Sequence, residues 1–228
     1  MPKAAFHNLG CKVNAYETEA MEQQLKGRGY EIVPFDEDAD VYIVNTCSVT
    51  NIADRKSRQM LHRAKKKNPS ALVVAVGCYA QVAADELEKD PSVDIIIGNN
   101  QKSRLWEILE DQKTAGGSGT YLEDIAAEKS CEPLRLESRG EHTRAFIKVQ
   151  DGCNQFCSYC IIPYARGRVR SRSPQDVEDE IRSLAEKGYK EAVLTGIHLC
   201  LLYTSYAVPR IFNKIRGDWH QGQEPLHV

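Results

Sequence analysis

The chain has 228 residues, 42% of them apolar and 27% charged, a composition typical of a soluble globular protein of one large or two small domains. Its formal net charge of −2 gives no overall indication of nucleic-acid binding. No apolar run reaches the roughly 18 residues of a membrane span and no secretory signal opens the chain, so we expect a cytoplasmic protein that does not enter a membrane.

Residues 1–113 alternate between strand and helix patterns. Continuous apolar runs at 73–76 and 95–97 are typical of parallel strands covered on both faces. The alternation therefore predicts a doubly wound parallel-sheet α/β domain. Asn14, with Glu17 three residues later, has the form of a capping box at a helix start. The predicted strands are 4–9, 30–34, 41–45, 72–76 and 93–97, and the predicted helices are 14–26, 52–67, 81–89 and 102–112.

The pattern stops at residues 114–142, where a Gly- and Ser-rich stretch followed by mixed charges predicts a linker. Residues 143–199 resume it with a strand at 144–150, a helix at 174–187 capped by Ser173, and a strand at 192–195. These predict the first βα units of a second parallel domain. Residues 200–228 show no such pattern, and we expect an atypical tail.

Six of the eight cysteines form two sets. The compact set, Cys153, Cys157 and Cys160, lies in one short C-x3-C-x2-C loop. The dispersed set, Cys11, Cys47 and Cys78, follows three predicted strands, and the carboxyl ends of parallel strands meet at one edge of a sheet. Each dispersed cysteine alone is more typical of a small buried residue than of a ligand. Together, each set indicates three thiolate ligands of an iron–sulfur cluster, because soft thiolates favour such clusters.

Basic residues are concentrated in two runs. Residues 54–68 carry seven Lys and Arg against one Asp, which fits either a nucleic-acid contact or a solvated helix face. The second run alternates by two beside the compact cysteines, and an extended segment would present its guanidiniums on one side toward phosphates. It consists of Arg166, Arg168, Arg170 and Arg172.

The segment from Asp151 through the compact cysteines and on to the arginines resembles the radical S-adenosylmethionine tRNA methylthiotransferases. That family also carries three N-terminal cysteines, which Cys11, Cys47 and Cys78 match. The Thr-Gly-Ile-His-Leu segment at 195–199 is similar to the branch that acts on N6-threonylcarbamoyladenosine beside the tRNA anticodon. The resemblance covers roughly residues 3–199.

The resemblance implies two [4Fe-4S] clusters, S-adenosyl-L-methionine as cofactor, a tRNA substrate and an electron donor such as a flavodoxin-type reductant. It implies methylthiolation at C2 of the modified adenosine. Tyr159 would contact the cofactor's adenine, and the turn at Thr195 and Gly196 would lie near its methionine end. The family's remaining barrel units and C-terminal RNA-binding domain are not expected in this chain, and their loss would weaken cluster binding and activity.

Two alternatives stay open at this point. The same chemistry could act on N6-isopentenyladenosine, although that branch typically has Gly-Gln-Asn where this chain has Gly-Ile-His. A zinc-stabilised RNA-binding module is a non-enzymatic alternative, with Cys131, Cys200 or His142 as a fourth ligand. No other role is predicted for Cys131 or Cys200, and the oligomeric state does not follow from the sequence.

Overall fold

The structure, a computed structural model, describes residues 1–136 and 144–198. Its main feature is a sheet of six strands in the order β2-β1-β3-β4-β5-β6, in which every neighbouring pair is parallel. The doubly wound α/β class predicted from the sequence is confirmed. The strands are β1 (Lys3–Asn8), β2 (Glu31–Val33), β3 (Val41–Thr46), β4 (Leu72–Gly77), β5 (Ile95–Ile97) and β6 (Gly119–Tyr121).

Helices cover both faces of this sheet, because successive strand residues point to opposite sides. In β3, Tyr42 and Val44 pack with Leu61 on one face, and Val41 and Ile43 pack with the helices of the other face. The helices are α1 (Lys12–Gly27), α2 (Asn51–Lys67), α3 (Cys78–Val82), α4 (Ala84–Leu87) and α5 (Leu105–Ala115), with a 3-10 turn at Lys102–Arg104. Helices α2 to α4 lie on the first face, and α1 and α5 on the second.

A second unit packs against α1. Strands β7 (Arg144–Lys148) and β10 (Glu191–Thr195) are parallel neighbours joined through α7 (Pro174–Glu186), as the βαβ pattern predicts. The Ser173 hydroxyl accepts a hydrogen bond from the Asp176 N–H, so its predicted capping role is confirmed. Between β7 and α7 lie β8 (Gln150–Asp151), α6 (Ile162–Arg166) and β9 (Arg170–Ser171). Tyr16 and Ala20 of α1 share a core with β7, β10 and α7.

Parts of the segment predicted as a linker belong to the two folded units. Residues 119–121 form the sixth strand of the large sheet, paired with β5, and Leu134 and Leu136 are buried in the core of the second unit. The apolar residues are too widely spaced for a strand pattern, so the sequence signal was missed. Residues 137–142 and the predicted tail, 200–228, lie outside the described residues.

Two local predictions were also wrong. Helix α1 begins at Lys12 rather than at Asn14, so Asn14 and Glu17 lie inside it and are buried instead of forming a capping box. The helix predicted at 81–89 is two short helices, α3 and α4, because Ala83 between them has non-helical backbone angles. In the parts of the chain that the structure describes, no helix has the length and apolar character needed to cross a membrane.

Candidate metal centres

The three dispersed cysteines lie at the carboxyl ends of adjacent strands. Cys11 follows β1, Cys47 follows β3 and Cys78 follows β4, and these strands are neighbours in the sheet. All three line one cavity of about 360 Å³. The expected convergence of these side chains is therefore present in the structure.

The cavity brings the thiols into one another's electrostatic field. Burial raises the pKa of the Cys47 thiol, the Val49 N–H opposes this rise, and the neighbouring Cys78 and Cys11 raise the pKa further. Neighbouring thiolates repel each other, and a bound cation would relieve that repulsion. Polar partners also approach the sulfurs: Cys11 Sγ lies 3.6 Å from Asn14 Oδ1, and Asn99 Nδ2 lies 3.7 Å from Cys78 Sγ.

Gly77 fixes the turn that presents Cys78. Its φ of 95° is in the region that favours glycine, and a Cβ there would lie 2.5 Å from Asn45 Oδ1 and 2.9 Å from the Thr46 carbonyl oxygen. The backbone can therefore leave β4 this close to β3 only because residue 77 has no side chain.

The compact cysteines lie in the loop between β8 and α6. The Cys153 N–H donates to the Gly167 carbonyl at 3.0 Å, and the Cys160 N–H donates to the Cys157 carbonyl at 2.9 Å. Gly152 has a φ of 72°, and a Cβ there would overlap the Arg168 carbonyl. Cys157 is exposed and the other two thiols are partly exposed, so the set is open to solvent.

The donor chemistry of both sets fits an iron–sulfur cluster. All seven cysteines described by the structure are free thiols. Within residues 1–136 and 144–198, no group of three or more His, Cys, Asp or Glu side chains is close enough to hold a single metal ion. A four-iron cluster binds each thiolate to a different iron, so its ligands lie farther apart than the ligands of one ion. The ligand role of the six cysteines stays a prediction.

Two of the predicted cofactor contacts lie beside the dispersed set. Thr195 and Gly196 line the cavity of Cys11, Cys47 and Cys78 together with Ile197. Tyr159 is 90% exposed in the compact loop and is not among the residues that line this cavity. The contact of Tyr159 with the same cofactor as the turn at 195–196 therefore stays a prediction.

The predicted row of phosphate-binding arginines is not present as a surface row. The Arg166, Arg170 and Arg172 side chains are at most 5% exposed, so for these three the prediction is contradicted. The reason is that carboxylates draw these side chains inward: Arg166 and Arg170 pair with Asp151, and Arg172 pairs with Glu180. Arg168 alone of the four is exposed, and its guanidinium lies 4.8 Å from the centre of the Phe156 ring. Arg168 therefore remains a candidate contact for nucleic-acid phosphates.

The basic helix α2 is largely engaged with acidic neighbours. Three residues of the basic run, spaced as neighbours on one side of a helix, are paired: Arg58 with Tyr79 and Glu86, His62 with Asp90, and Lys65 with Asp94. The Lys65–Asp94 pair also fastens the helix to the sheet, since Asp94 accepts a hydrogen bond from the Val73 N–H. These pairs fit the alternative of a solvated helix face, and a nucleic-acid contact of this helix stays a prediction.

A buried ionic network between the two units was missed from the sequence. Glu17 of α1 is fully buried and contacts Arg166, Lys148 and Lys102 at 3.0, 2.7 and 3.3 Å. Asp151 contacts Lys148 at 3.2 Å and Arg166 at 3.0 Å. Isolated charges spread over 150 residues leave no pattern, so only the three-dimensional structure brings them together.

The network holds its carboxylates ionised. Burial raises the pKa of Glu17, but Arg166, Lys102 and Lys148 outweigh this effect and hold the pKa well below its usual range. Burial likewise opposes ionisation of Asp151, yet Arg166 and Lys148 lower its pKa to about 2. A buried charge is tolerated only with such partners.

Family comparisons match both halves of the chain. Residues 3–98 match the family described as "Uncharacterized protein family UPF0004", and residues 147–217 match the radical SAM superfamily. A solved structure of the radical S-adenosylmethionine methyltransferase TsrM from Kitasatospora setae aligns with a TM-score of 0.59 at 15% identity. It covers 96% of this chain and 52% of that one, and at this identity it shows a shared fold alone.

Curated relatives are more similar in sequence. The chain is 45% identical to the threonylcarbamoyladenosine tRNA methylthiotransferase MtaB of Aquifex aeolicus, over 86% of this chain and 48% of that protein. It is 44% identical to the Bacillus subtilis protein of the same name, over 87% and 44%. The tRNA-2-methylthio-N(6)-dimethylallyladenosine synthase of Clostridium novyi is 40% identical, over 82% and 42%. The chain thus spans about half the length of the curated relatives it matches.

Proposed function

Since the chain belongs to the radical S-adenosylmethionine tRNA methylthiotransferase family, we propose that the whole protein adds a methylthio group to C2 of N6-threonylcarbamoyladenosine in tRNA. The observation that carries this proposal is the convergence of Cys11, Cys47 and Cys78 on one cavity, in a chain that also has the compact cysteine loop. A single-cluster radical enzyme would need the compact loop alone.

The two cysteine sets are the proposed holders of two [4Fe-4S] clusters. When bound, these clusters and S-adenosyl-L-methionine supply the radical chemistry and the sulfur that methylthiolation needs. Cys153, Cys157 and Cys160 bind one cluster, and their partly exposed thiols leave room for the cofactor beside it. Cys11, Cys47 and Cys78 bind the other inside the cavity.

Neighbouring residues orient these ligands and limit the access of water. Gly77 and Gly152 allow the tight turns before Cys78 and Cys153. Thr195 and Gly196 close the dispersed cavity from the side of the second unit, and we infer that they contact the cofactor or the substrate there. Tyr159 offers an exposed ring on which an adenine could stack.

The partners follow from the same proposal. The substrate is a tRNA, with Arg168 as a phosphate contact beside the compact loop. The reaction needs an external electron donor, such as a flavodoxin-type reductant. The protein acts in the cytoplasm, where tRNA is modified. The domains are a cluster-binding unit that starts at residue 1 and extends beyond residue 113 to β6 at Gly119–Tyr121, and the start of the radical domain at 143–199.

The experiment that tests the substrate is nucleoside analysis of tRNA from cells that lack the full-length gene and from the same cells after its return. We expect 2-methylthio-N6-threonylcarbamoyladenosine to disappear and to reappear. N6-isopentenyladenosine in tRNA is a second candidate substrate, because a tRNA-2-methylthio-N(6)-dimethylallyladenosine synthase is 40% identical to this chain. If the isopentenyladenosine derivative changes instead, the proposed substrate is wrong and the second candidate is correct.

A further inference from the structure

Arg166 lies between the two cysteine sets and contacts side chains next to both. Its Nη1 donates to Glu17 Oε1 and to Asp151 Oδ1, each at 3.0 Å, and its Nη2 donates to Asn14 Oδ1 at 2.7 Å. Asp151 is two residues before Cys153, and Asn14 Oδ1 also lies 3.6 Å from Cys11 Sγ. One guanidinium therefore links the environment of the compact loop to that of the dispersed cysteines.

The residue before Arg166 provides a second link. Asn99 Nδ2 donates to the Ala165 carbonyl at 2.6 Å and lies 3.7 Å from Cys78 Sγ. Helix α6, which follows Cys160 closely, is thus fastened to the dispersed set at two consecutive residues. Arg166 itself lines the cavity that contains Cys11, Cys47 and Cys78.

The network around Arg166 carries an excess of positive charge. Four cations, Arg166, Lys148, Lys102 and Arg170, face two carboxylates, Glu17 and Asp151. Three thiolates around a metal cluster carry negative charge, and positive charge nearby stabilises them when water is excluded. Of these four cations only Arg166 lines the cavity, where Lys12, which is outside the network, is the other cationic lining residue.

We propose that Arg166 is a positioning residue that fixes the compact loop relative to the dispersed cysteines and sets the electrostatic potential in their cavity. This inference rests on the proposed function, in which the dispersed set holds an iron–sulfur cluster. Its two parts, charge and position, are tested by separate measurements.

The charge is tested in a Cys153→Ala/Cys157→Ala/Cys160→Ala background, where iron can bind only at the dispersed set. After anaerobic reconstitution, the midpoint potential of the cluster is measured by redox titration followed by electron paramagnetic resonance. Arg166→Met should shift this potential to more negative values, because loss of a nearby cation disfavours reduction. Arg166→Lys keeps the charge and should restore most of the wild-type value.

The matched control is Lys148→Met, which removes a cation from the same network but not from the cavity wall. It should shift the potential less than Arg166→Met does. Equal shifts, or none at Arg166, would overturn the electrostatic part. If the background protein binds no iron at all, the proposed function fails for this set, independently of Arg166.

The positioning role of Arg166 is tested by amide hydrogen exchange in the apoprotein, so no cluster has to be bound. The substitution used is conservative. A lysine cannot reproduce the fork that joins Asn14, Glu17 and Asp151. Arg166→Lys should therefore speed exchange both at residues 10–14 and in the loop 152–161. Arg144→Lys is the control, since Arg144 pairs with Glu191 of β10, outside this network. Faster exchange in only one of the two segments, or in neither, would contradict the positioning role.

Discussion

At the residue scale, glycine decides where the cysteines can lie. Gly77 has a φ of 95° and lies against Asn45 and the Thr46 backbone, so it combines a conformational requirement with a steric one. The sequence shows the glycine before Cys78 and suggests close backbone approach. It does not show which strand approaches, because that depends on the order of strands in the sheet.

Gly77→Ala should lower the free energy of unfolding by about 1–3 kcal/mol or more, because an alanine is strained at this φ and its Cβ meets Asn45. Urea denaturation of the apoprotein measures this change. Gly29→Ala is the control, since Gly29 also has a positive φ, of 87°, but nothing lies within 4 Å of the added Cβ. Equal losses for the two variants would show that the contact with β3 is unimportant.

A second prediction at this scale concerns acid. The pKa of Asp151 is lowered to about 2 in the folded protein, below its ordinary value near 4, so its ionised form stabilises the fold above pH 4. Stability should fall by roughly 2 kcal/mol as the pH drops from about 4 to about 2. The depressed pKa of Glu17 adds in the same direction.

Urea denaturation at a series of pH values measures this dependence. Asp151→Asn should reduce the slope between pH 4 and pH 2, while Asp36→Asn, at an exposed carboxylate on the surface, should leave it nearly unchanged. An unchanged slope in Asp151→Asn would mean that other groups control acid unfolding.

The spacing of the arginines alone gave a wrong prediction of their exposure. An Arg at every second residue suggests one exposed row. A buried carboxylate, however, needs a cationic partner, and it pairs with a nearby guanidinium that would otherwise lie in solvent. Arg166 is buried in ion pairs with Glu17 and Asp151. Arg172 forms ion pairs with Asp176 and Glu180. These acids lie up to 149 residues away along the chain, so no local pattern could reveal the pairing.

At the scale of helices and strands, hydrophobic runs predicted the large sheet well. Strands β1 to β5 were each found near their predicted positions, and the continuous apolar runs of β4 and β5 gave the clearest signal. Strand β6 was missed, since Gly119, Thr120 and Tyr121 are only partly buried or exposed and carry no such run. Its place depends on pairing with β5, which is tertiary information.

Helix starts give a prediction at this scale. The Ser173 and Thr50 side chains each accept a hydrogen bond from an N–H three residues later, in α7 and α2. Ser173→Ala and Thr50→Ala should each lower the free energy of unfolding by about 1 kcal/mol, because a helix N–H loses its partner. Urea denaturation measures both, with the exposed Ser171→Ala as a control near zero. A loss below the experimental error in both caps would contradict the assigned helix starts.

At the scale of the whole molecule, the convergence of the dispersed cysteines on one cavity followed directly from the sequence. Three cysteines after three strands had to meet if those strands were parallel neighbours, and the strand order β1-β3-β4 makes them so. The approach of the second unit could not be predicted in the same way. Thr195 and Gly196 reach this cavity because α1 and β7 pack together and the ionic network joins them.

The central claim is that each cysteine trio holds its own iron–sulfur cluster, and iron and sulfide content per chain after anaerobic reconstitution tests it. The wild-type chain should bind about eight irons with matching sulfide. Cys11→Ala/Cys47→Ala/Cys78→Ala and Cys153→Ala/Cys157→Ala/Cys160→Ala should each retain about four, and Cys131→Ala should retain about eight. One or two zinc ions without sulfide, or a dispersed-set variant that binds as much iron as wild type, would contradict the claim.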